Sequence, residues 1–136
     1  MFFRSLFQAT FGILFMSLTL AGNLHSMEFQ AGNTTLNISD SGYIDRMLHR
    51  EENLIFGKGS PLLQIRLDGS EKLLSPTKAA ITREDASRAL VHLSYPNGVE
   101  AFIDVKENEH YLRMRLKRVE STVTVNKVIW GPYRTT

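Results

Sequence analysis

Cysteine is absent from this chain of 136 residues. Without a thiol the protein has no disulfide, no thiolate metal ligand and no cysteine nucleophile. It also has no cysteine that could carry a lipid behind a leader. The fold must therefore be held by the hydrophobic core alone.

A large charge of one sign is missing as well. The chain has 16 basic and 14 acidic residues, a net charge of +2. Arg4 is the only charged residue before Glu28, so the remainder of the chain is close to neutral. A surface of this kind has no strong field to attract a polyanion. We therefore expect no nucleic-acid partner.

Catalytic and metal-binding motifs are also missing. There is no glycine-rich phosphate loop, no nucleophile elbow and no H-E-x-x-H sequence. Outside the first 26 residues the histidines are His49, His92 and His110, and no two of them have the spacing of zinc ligands. We expect no catalytic residue, no metal and no cofactor, and hence no enzyme in this chain by itself.

Residues 1–26 form a hydrophobic leader. Arg4 is followed by an apolar run from Leu6 to Ala21, an order typical of a secretory signal peptide. No A-x-A triplet marks the cleavage site, which we place after Ala21, Gly22 or Ser26. The leader predicts an exported protein, in the periplasm, on the cell surface or secreted.

Two alternatives to a cleaved leader stay open. About eighteen apolar residues is the lower limit for a membrane-spanning helix, so the segment could be an uncleaved anchor, and the membrane would then be contacted only through the leader. It could also be a buried helix of the domain. We favour the signal peptide, and with it a division into a leader, 1–26, and one β-sandwich domain, 27–136.

The domain reads as β-strands, because from Asn33 onward apolar residues repeat with a period of two. The clearest unit runs from Ala89 to Val105, where Pro96-Asn97-Gly98 separates two alternating stretches. A three-residue loop keeps the apolar residues of both strands on one face, whereas a two-residue Asn-Gly loop would mix the faces. The predicted cross-strand pairs are Tyr95 with Val99, Leu93 with Ala101, and Val91 with Ile103.

Similar stretches separated by turn signals cover the rest of the domain. Leu62 to Leu67 alternates and leads into an Asp68-Gly69 hairpin, and Tyr111 to Val119 and Thr122 to Trp130 predict two more strands. The charged stretch from Thr82 to Arg88 predicts a turn or loop. The pattern favours an all-β fold, an antiparallel β-sandwich of about eight or nine strands preceded by the leader helix.

Two groups of polar residues on these strands have a structural and a functional interpretation. A row of cations, Arg113, Arg115 and Lys117, shares one face of its strand. We expect it to be solvated and paired with acids such as Glu100 and Asp104; the alternative is an anion-binding stripe. His92 is expected as an exposed cross-strand neighbour of Phe102.

The C-terminal segment is the most unusual local sequence. The only tryptophan, Trp130, precedes Gly131-Pro132, Tyr133 and Arg134. We take Trp130, Tyr133 and Arg134 as candidate contact residues, which could form a sugar-stacking platform, close the end of a sandwich, or lead into a following domain. The chain stops soon after an apolar strand, which suggests a domain truncated at this end and part of a longer protein.

The domain carries five short motifs in this order: Gly42-Tyr43-Ile44, Ser60 to Gly69 (SPLLQIRLDG), Leu93 to Glu100 (LSYPNGVE), Tyr111 to Leu116 (YLRMRL), and Val128 to Thr136 (VIWGPYRTT). Together they resemble the N-terminal β-sandwich of large secreted bacterial glycoside-hydrolase-like proteins, which is similar in fold to the galactose-mutarotase sandwich. None of these motifs is a catalytic signature.

The resemblance implies an accessory domain of an exported carbohydrate-active protein, whose catalytic groups belong to a downstream domain. The implied partners are a glycan and that catalytic domain. Mutarotases use a histidine and a glutamate; His92, His110 and Glu100 are of these types, but no motif gives them those roles. The alternative is a free-standing secreted or envelope protein that binds a protein or surface partner.

Overall fold

The computed structural model describes residues 26–55 and 57–133. The leader and Arg134 to Thr136 lie outside the described residues, so the signal peptide and the leader helix stay predictions. Within the described ranges the chain forms twelve strands, and no helix there is long and apolar enough to cross a membrane. The strands are β1 Met27–Ala31, β2 Thr34–Ile38, β3 Tyr43–His49, β4 Glu52–Asn53, β5 Ser60–Pro61, β6 Leu63–Leu67, β7 Leu73–Leu74, β8 Lys78–Asp85, β9 Arg88–Ser94, β10 Glu100–Glu107, β11 Leu112–Glu120 and β12 Val125–Trp130.

All strand pairs are antiparallel, and they form three sheets. A five-stranded sheet has the order β1-β2-β3-β4, with β5 also paired to β3. A four-stranded sheet has the order β11-β10-β9-β8, and a three-stranded sheet has the order β12-β6-β7. The predicted all-β antiparallel class is confirmed. The described strands outnumber the eight or nine expected because β4, β5 and β7 are only two residues long.

The sheets enclose one core, which gives the molecule a sandwich-like arrangement. Strand β9 alternates half-buried and buried residues along its whole length, and its buried residues include Val91 and Leu93. They share the core with Phe29 and Leu36 of the five-stranded sheet and with Ile65 of β6. Burial of apolar side chains of this size is the main stabilising term in folding.

The predicted register of the β9–β10 hairpin is confirmed. Leu93 lies opposite Ala101 and Val91 opposite Ile103, and the Tyr95 N–H donates to the Val99 carbonyl over 2.9 Å. Pro96–Gly98 forms a short 3₁₀ turn with left-handed backbone at Asn97 (φ 65°) and Gly98 (φ 71°). Glycine and asparagine are the residues that adopt this region most readily.

The prediction of a turn or loop from Thr82 to Arg88 holds only for its two residues Ala86 and Ser87 and is wrong for the others. β8 runs through Asp85, and only Ala86 and Ser87 form the turn before β9. Composition favoured a loop, but the backbone ladder with β9 continues through this charged stretch, and Arg83 lies opposite Ala89. Pairing with a neighbouring strand outweighs the weak strand preference of charged residues.

Strand β1 was not anticipated, because its five residues follow directly on the leader. Met27, Phe29 and Ala31 are buried, whereas Glu28 and Gln30 between them are exposed. This alternation has the period of two that is typical of a strand. It covers only five residues and follows a long hydrophobic run, so it was not recognised in the sequence. β1 begins at Met27, and the boundary between leader and domain stays a prediction.

Candidate functional site

The aromatic C-terminal segment is held against β6 by one carbonyl. Trp130 lies opposite Leu63 in the β12–β6 ladder. Beyond it, the carbonyl oxygen of Leu62 accepts the Gly131 N–H over 3.3 Å and the Tyr133 hydroxyl over 2.9 Å. The residues after Trp130 therefore stay next to Leu62, which directly precedes β6, and Tyr133 is held there.

Gly131 makes this turn possible. Its φ is +91°, and a Cβ atom there would lie 2.7 Å from the Tyr133 backbone nitrogen and 3.4 Å from the Tyr133 ring. A side chain at this position would push Tyr133 away from Leu62. The Gly131–Pro132 peptide bond is cis.

The two aromatic side chains of this segment differ in their contacts. Trp130 is 40% exposed, and Tyr133 is 36% exposed with its hydroxyl bonded to the protein. Burial raises the pKa of the Tyr133 hydroxyl to about 12. Tyr133 thus covers the end of the molecule in part, while the indole of Trp130 is accessible. Arg134 lies outside the described residues and stays a prediction.

A stack of three side chains crosses the outer face of the four-stranded sheet. His92 lies opposite Phe102, as predicted, and their rings stack with centroids 4.3 Å apart and planes 13° apart. The guanidinium carbon of Arg118 lies 3.8 Å from the centroid of Phe102. His92 is half-buried, which is more than the exposed position expected from the sequence.

The stack also brings a histidine and a glutamate together. Nε2 of His92 lies 3.3 Å from Oε1 of Glu100, although no motif placed these two residues in a common site. The Nε2 atom is inaccessible to solvent. A general acid or base must reach the substrate proton directly or through one water molecule, so this nitrogen is poorly placed for proton transfer.

The row of cations was expected to pair with Glu100 and Asp104, and this is right only for Asp104. Carboxylate oxygens of Asp104 lie 3.9 Å from the Arg88 Nε and 3.9 Å from an Arg113 nitrogen. Glu100 faces His92 instead. Arg88, Asp104 and Arg115 line a cleft of about 310 Å³.

Histidines occur at a second place, near the turn between β1 and β2. His49 and His110 both line a cleft of about 440 Å³ there. The Nδ1 atom of His49 is 2.9 Å from the Thr34 hydroxyl, and His110 is 3.7 Å from Glu109. No group of three metal-ligand side chains occurs in residues 26–55 and 57–133.

Comparison with known protein families, with curated proteins and with solved structures gave no match. The functional interpretation of the chain therefore depends on the sites themselves.

Proposed function

We propose that this chain is a non-catalytic β-sandwich module of an exported carbohydrate-active protein, and that its aromatic C-terminal end is the contact surface for a catalytic domain or a glycan. The proposal depends on the exposure of large apolar side chains at this end. Of the large apolar side chains that are exposed in the described residues, two are the aromatic residues of this segment, Trp130 and Tyr133. The others lie outside it: Leu73, Tyr111 and Val123.

The chemistry of Trp130 suits such a contact. Tryptophan and tyrosine supply a large flat apolar area with one polar group, and they are over-represented where proteins bind their partners. The bond from Tyr133 to Leu62 holds the neighbouring ring in place before any partner arrives. A surface ordered in advance loses less conformational entropy on binding.

The proposal is tested by using Trp130 as its own reporter, because it is the only tryptophan of the chain. A glycan array on the purified protein selects oligosaccharides, and each is then titrated while tryptophan emission is recorded. We expect a bound glycan to change the emission and Trp130→Ala to abolish binding. The control Leu73→Ala removes a similarly exposed apolar side chain from the same sheet and should bind normally.

The same reporter distinguishes the two contacts. If a catalytic domain covers the segment, fusion to that domain shifts the emission to the blue, and no glycan shifts it further. If neither glycan nor domain alters the emission, the aromatic end is not the contact surface.

A free-standing secreted or envelope module that binds a protein partner is the second candidate. The observation that favours it is the outer edge of β11, the end strand of the four-stranded sheet, with which no other described strand pairs. An exposed strand edge of this length is a template for another strand.

A further inference from the structure

We propose that the outer edge of β11 binds an extended peptide segment in which apolar and acidic side chains alternate, so that the segment becomes the fifth strand of the four-stranded sheet. This inference rests on the proposed role as an interaction module, but it concerns a surface other than the aromatic C-terminal end.

The backbone of β11 has hydrogen-bonding groups directed away from its sheet. β11 is nine residues long and pairs with β10, and none of the other described strands pairs with its outer edge. On β10 the Glu107 N–H donates to Ser87 next to β9. Alternate residues of a strand bond opposite neighbours, so Asp104 and Lys106 bond to β11. Their partners on β11 are Arg115 and Arg113. The residues that alternate with these partners direct their N–H and C=O groups outward: Leu112, Met114 and Leu116.

An apolar groove lies directly beside this edge. It has a volume of about 230 Å³ and is lined by Leu36 and Met47 of the five-stranded sheet and by Leu112 and Met114 of β11. Met47, Leu112 and Met114 are only partly buried against the core. A strand added to β11 would direct every second side chain into this groove. Apolar side chains of the added strand would be stabilised there, because the groove removes them from water.

The other face of β11 sets the charge of the partner. Arg113, Arg115 and Lys117 are exposed on it. Among the described residues no carboxylate lies within ion-pair distance of Arg115 or Lys117, and Arg113 reaches only Asp104 at 3.9 Å. Directly opposite side chains on paired strands are about 5 Å apart, and opposite charges there stabilise the pair. The outward side chains of the partner are therefore acidic.

The same cations argue against a second copy of this chain as the occupant. Two β11 edges paired antiparallel would bring Arg113, Arg115 and Lys117 of one copy close to those of the other. Like charges directly opposite each other destabilise a strand pair, and positive charge on an edge is a common protection against edge-to-edge association. The charge that prevents self-pairing selects an acidic strand.

The test uses the full-length protein and two matched synthetic nine-residue peptides, one alternating valine with glutamate and one alternating valine with lysine. Binding is measured by fluorescence anisotropy at low salt, and hydrogen exchange locates the bound strand. We expect the glutamate peptide to bind about tenfold or more tightly than the lysine peptide. The amides of Leu112, Met114 and Leu116 should become protected.

Charge reversal gives the matched variant. Lys117 is exposed and has no residue directly opposite it on β10, so Lys117→Glu should keep the fold, which circular dichroism checks. The preference between the two peptides should fall or invert in this variant. Lys78→Glu, on the far strand β8, is the control and should leave the preference unchanged. Trp130→Ala should also leave it unchanged, which separates this site from the aromatic end.

Several results would overturn the proposal. These are equal binding of both peptides, no binding of either, or binding that leaves the β11 amides unprotected. A dimer formed by the protein alone, with β11 protected in it, would show that a second copy occupies the edge instead.

Discussion

At the scale of single residues, two tyrosine hydroxyls close one end of the core. Tyr95 donates to the Leu63 carbonyl over 2.7 Å and Tyr133 to the Leu62 carbonyl over 2.9 Å. Burial raises the pKa of both hydroxyls. Both phenols are protonated in the folded and unfolded states below pH 10. Above pH 10 the two phenols lose their protons in the unfolded chain but keep them in the folded protein. The free energy of unfolding therefore falls as the pH rises.

Tyr95→Phe tests this interpretation. At pH 7 the variant should lose about 1 kcal/mol, since a buried hydrogen bond is removed. Between pH 10 and 12 its stability should fall less steeply than that of the unaltered protein, because only Tyr133 then contributes. Denaturant unfolding across this range measures both effects. Tyr111→Phe, at an exposed ring, is the control, and an equally steep fall in Tyr95→Phe would contradict the prediction.

Gly131→Ala tests the turn that places Tyr133. The variant adds both left-handed strain and a clash with the Tyr133 backbone, and it should release Tyr133 and shift Trp130 emission to the red. Gly69→Ala is a matched control, because Gly69 also has a positive φ but open space around it. In the control we expect the free energy of unfolding to fall by about 1–2 kcal/mol from strain alone. The emission of Trp130 should stay unchanged. Identical behaviour of the two variants would show that the clash has no effect.

At the scale of elements, the β9–β10 hairpin depends on the length of its loop. Deletion of Asn97 leaves two residues between the strands and moves one strand by a residue, which turns its apolar face outward. We expect the deletion variant to lose cooperative unfolding. Asn97→Gly keeps the length and the left-handed backbone, so it should unfold cooperatively within about 1 kcal/mol of the unaltered protein. A deletion variant with normal thermal unfolding would refute the register argument.

This hairpin also shows what could be predicted from sequence. Two long alternating runs joined by a turn signal determine their own pairing, so the register was predictable. Arg118 over Phe102 was not, because a bulge in β11 places Phe102 opposite Arg118 but Ile103 opposite Leu116. One signal of the bulge is present: apolar spacing changes from two residues to three between Leu116 and Val119.

Strand partners that lie far apart in sequence were beyond prediction for a different reason. β12 pairs with β6 across more than fifty intervening residues, and β11 and β12 follow each other along the chain but belong to different sheets. Alternation identifies a strand and its faces but not its neighbour. The candidate contact residues Trp130 and Tyr133 could be named from composition, whereas the pairing of Trp130 with Leu63 and the hydrogen bond from Tyr133 to Leu62 required the fold.

At the scale of the whole molecule, two exposed surfaces come from the last two strands, and neither contains the His92–Glu100 pair. That pair lies on the outer face of the four-stranded sheet, with its Nε2 atom covered. We propose that β1 to β10 mainly form the core, whereas β11 and β12 provide the surfaces that bind partners. An accessory module needs such surfaces but no turnover of its own.

The whole-molecule prediction is therefore the absence of catalysis by the His92–Glu100 pair. We expect purified protein to leave the mutarotation of galactose and glucose at its spontaneous rate, followed by polarimetry, and His92→Ala to give the same rate. His92→Ala also removes the stack on Phe102, which should lower stability by about 1 kcal/mol, so its fold is checked by circular dichroism. Acceleration by the unaltered protein that disappears in a folded His92→Ala variant would contradict the non-catalytic role. It would instead make the stacked histidine a catalytic group, reached by sugar through a movement of Glu100 or Phe102.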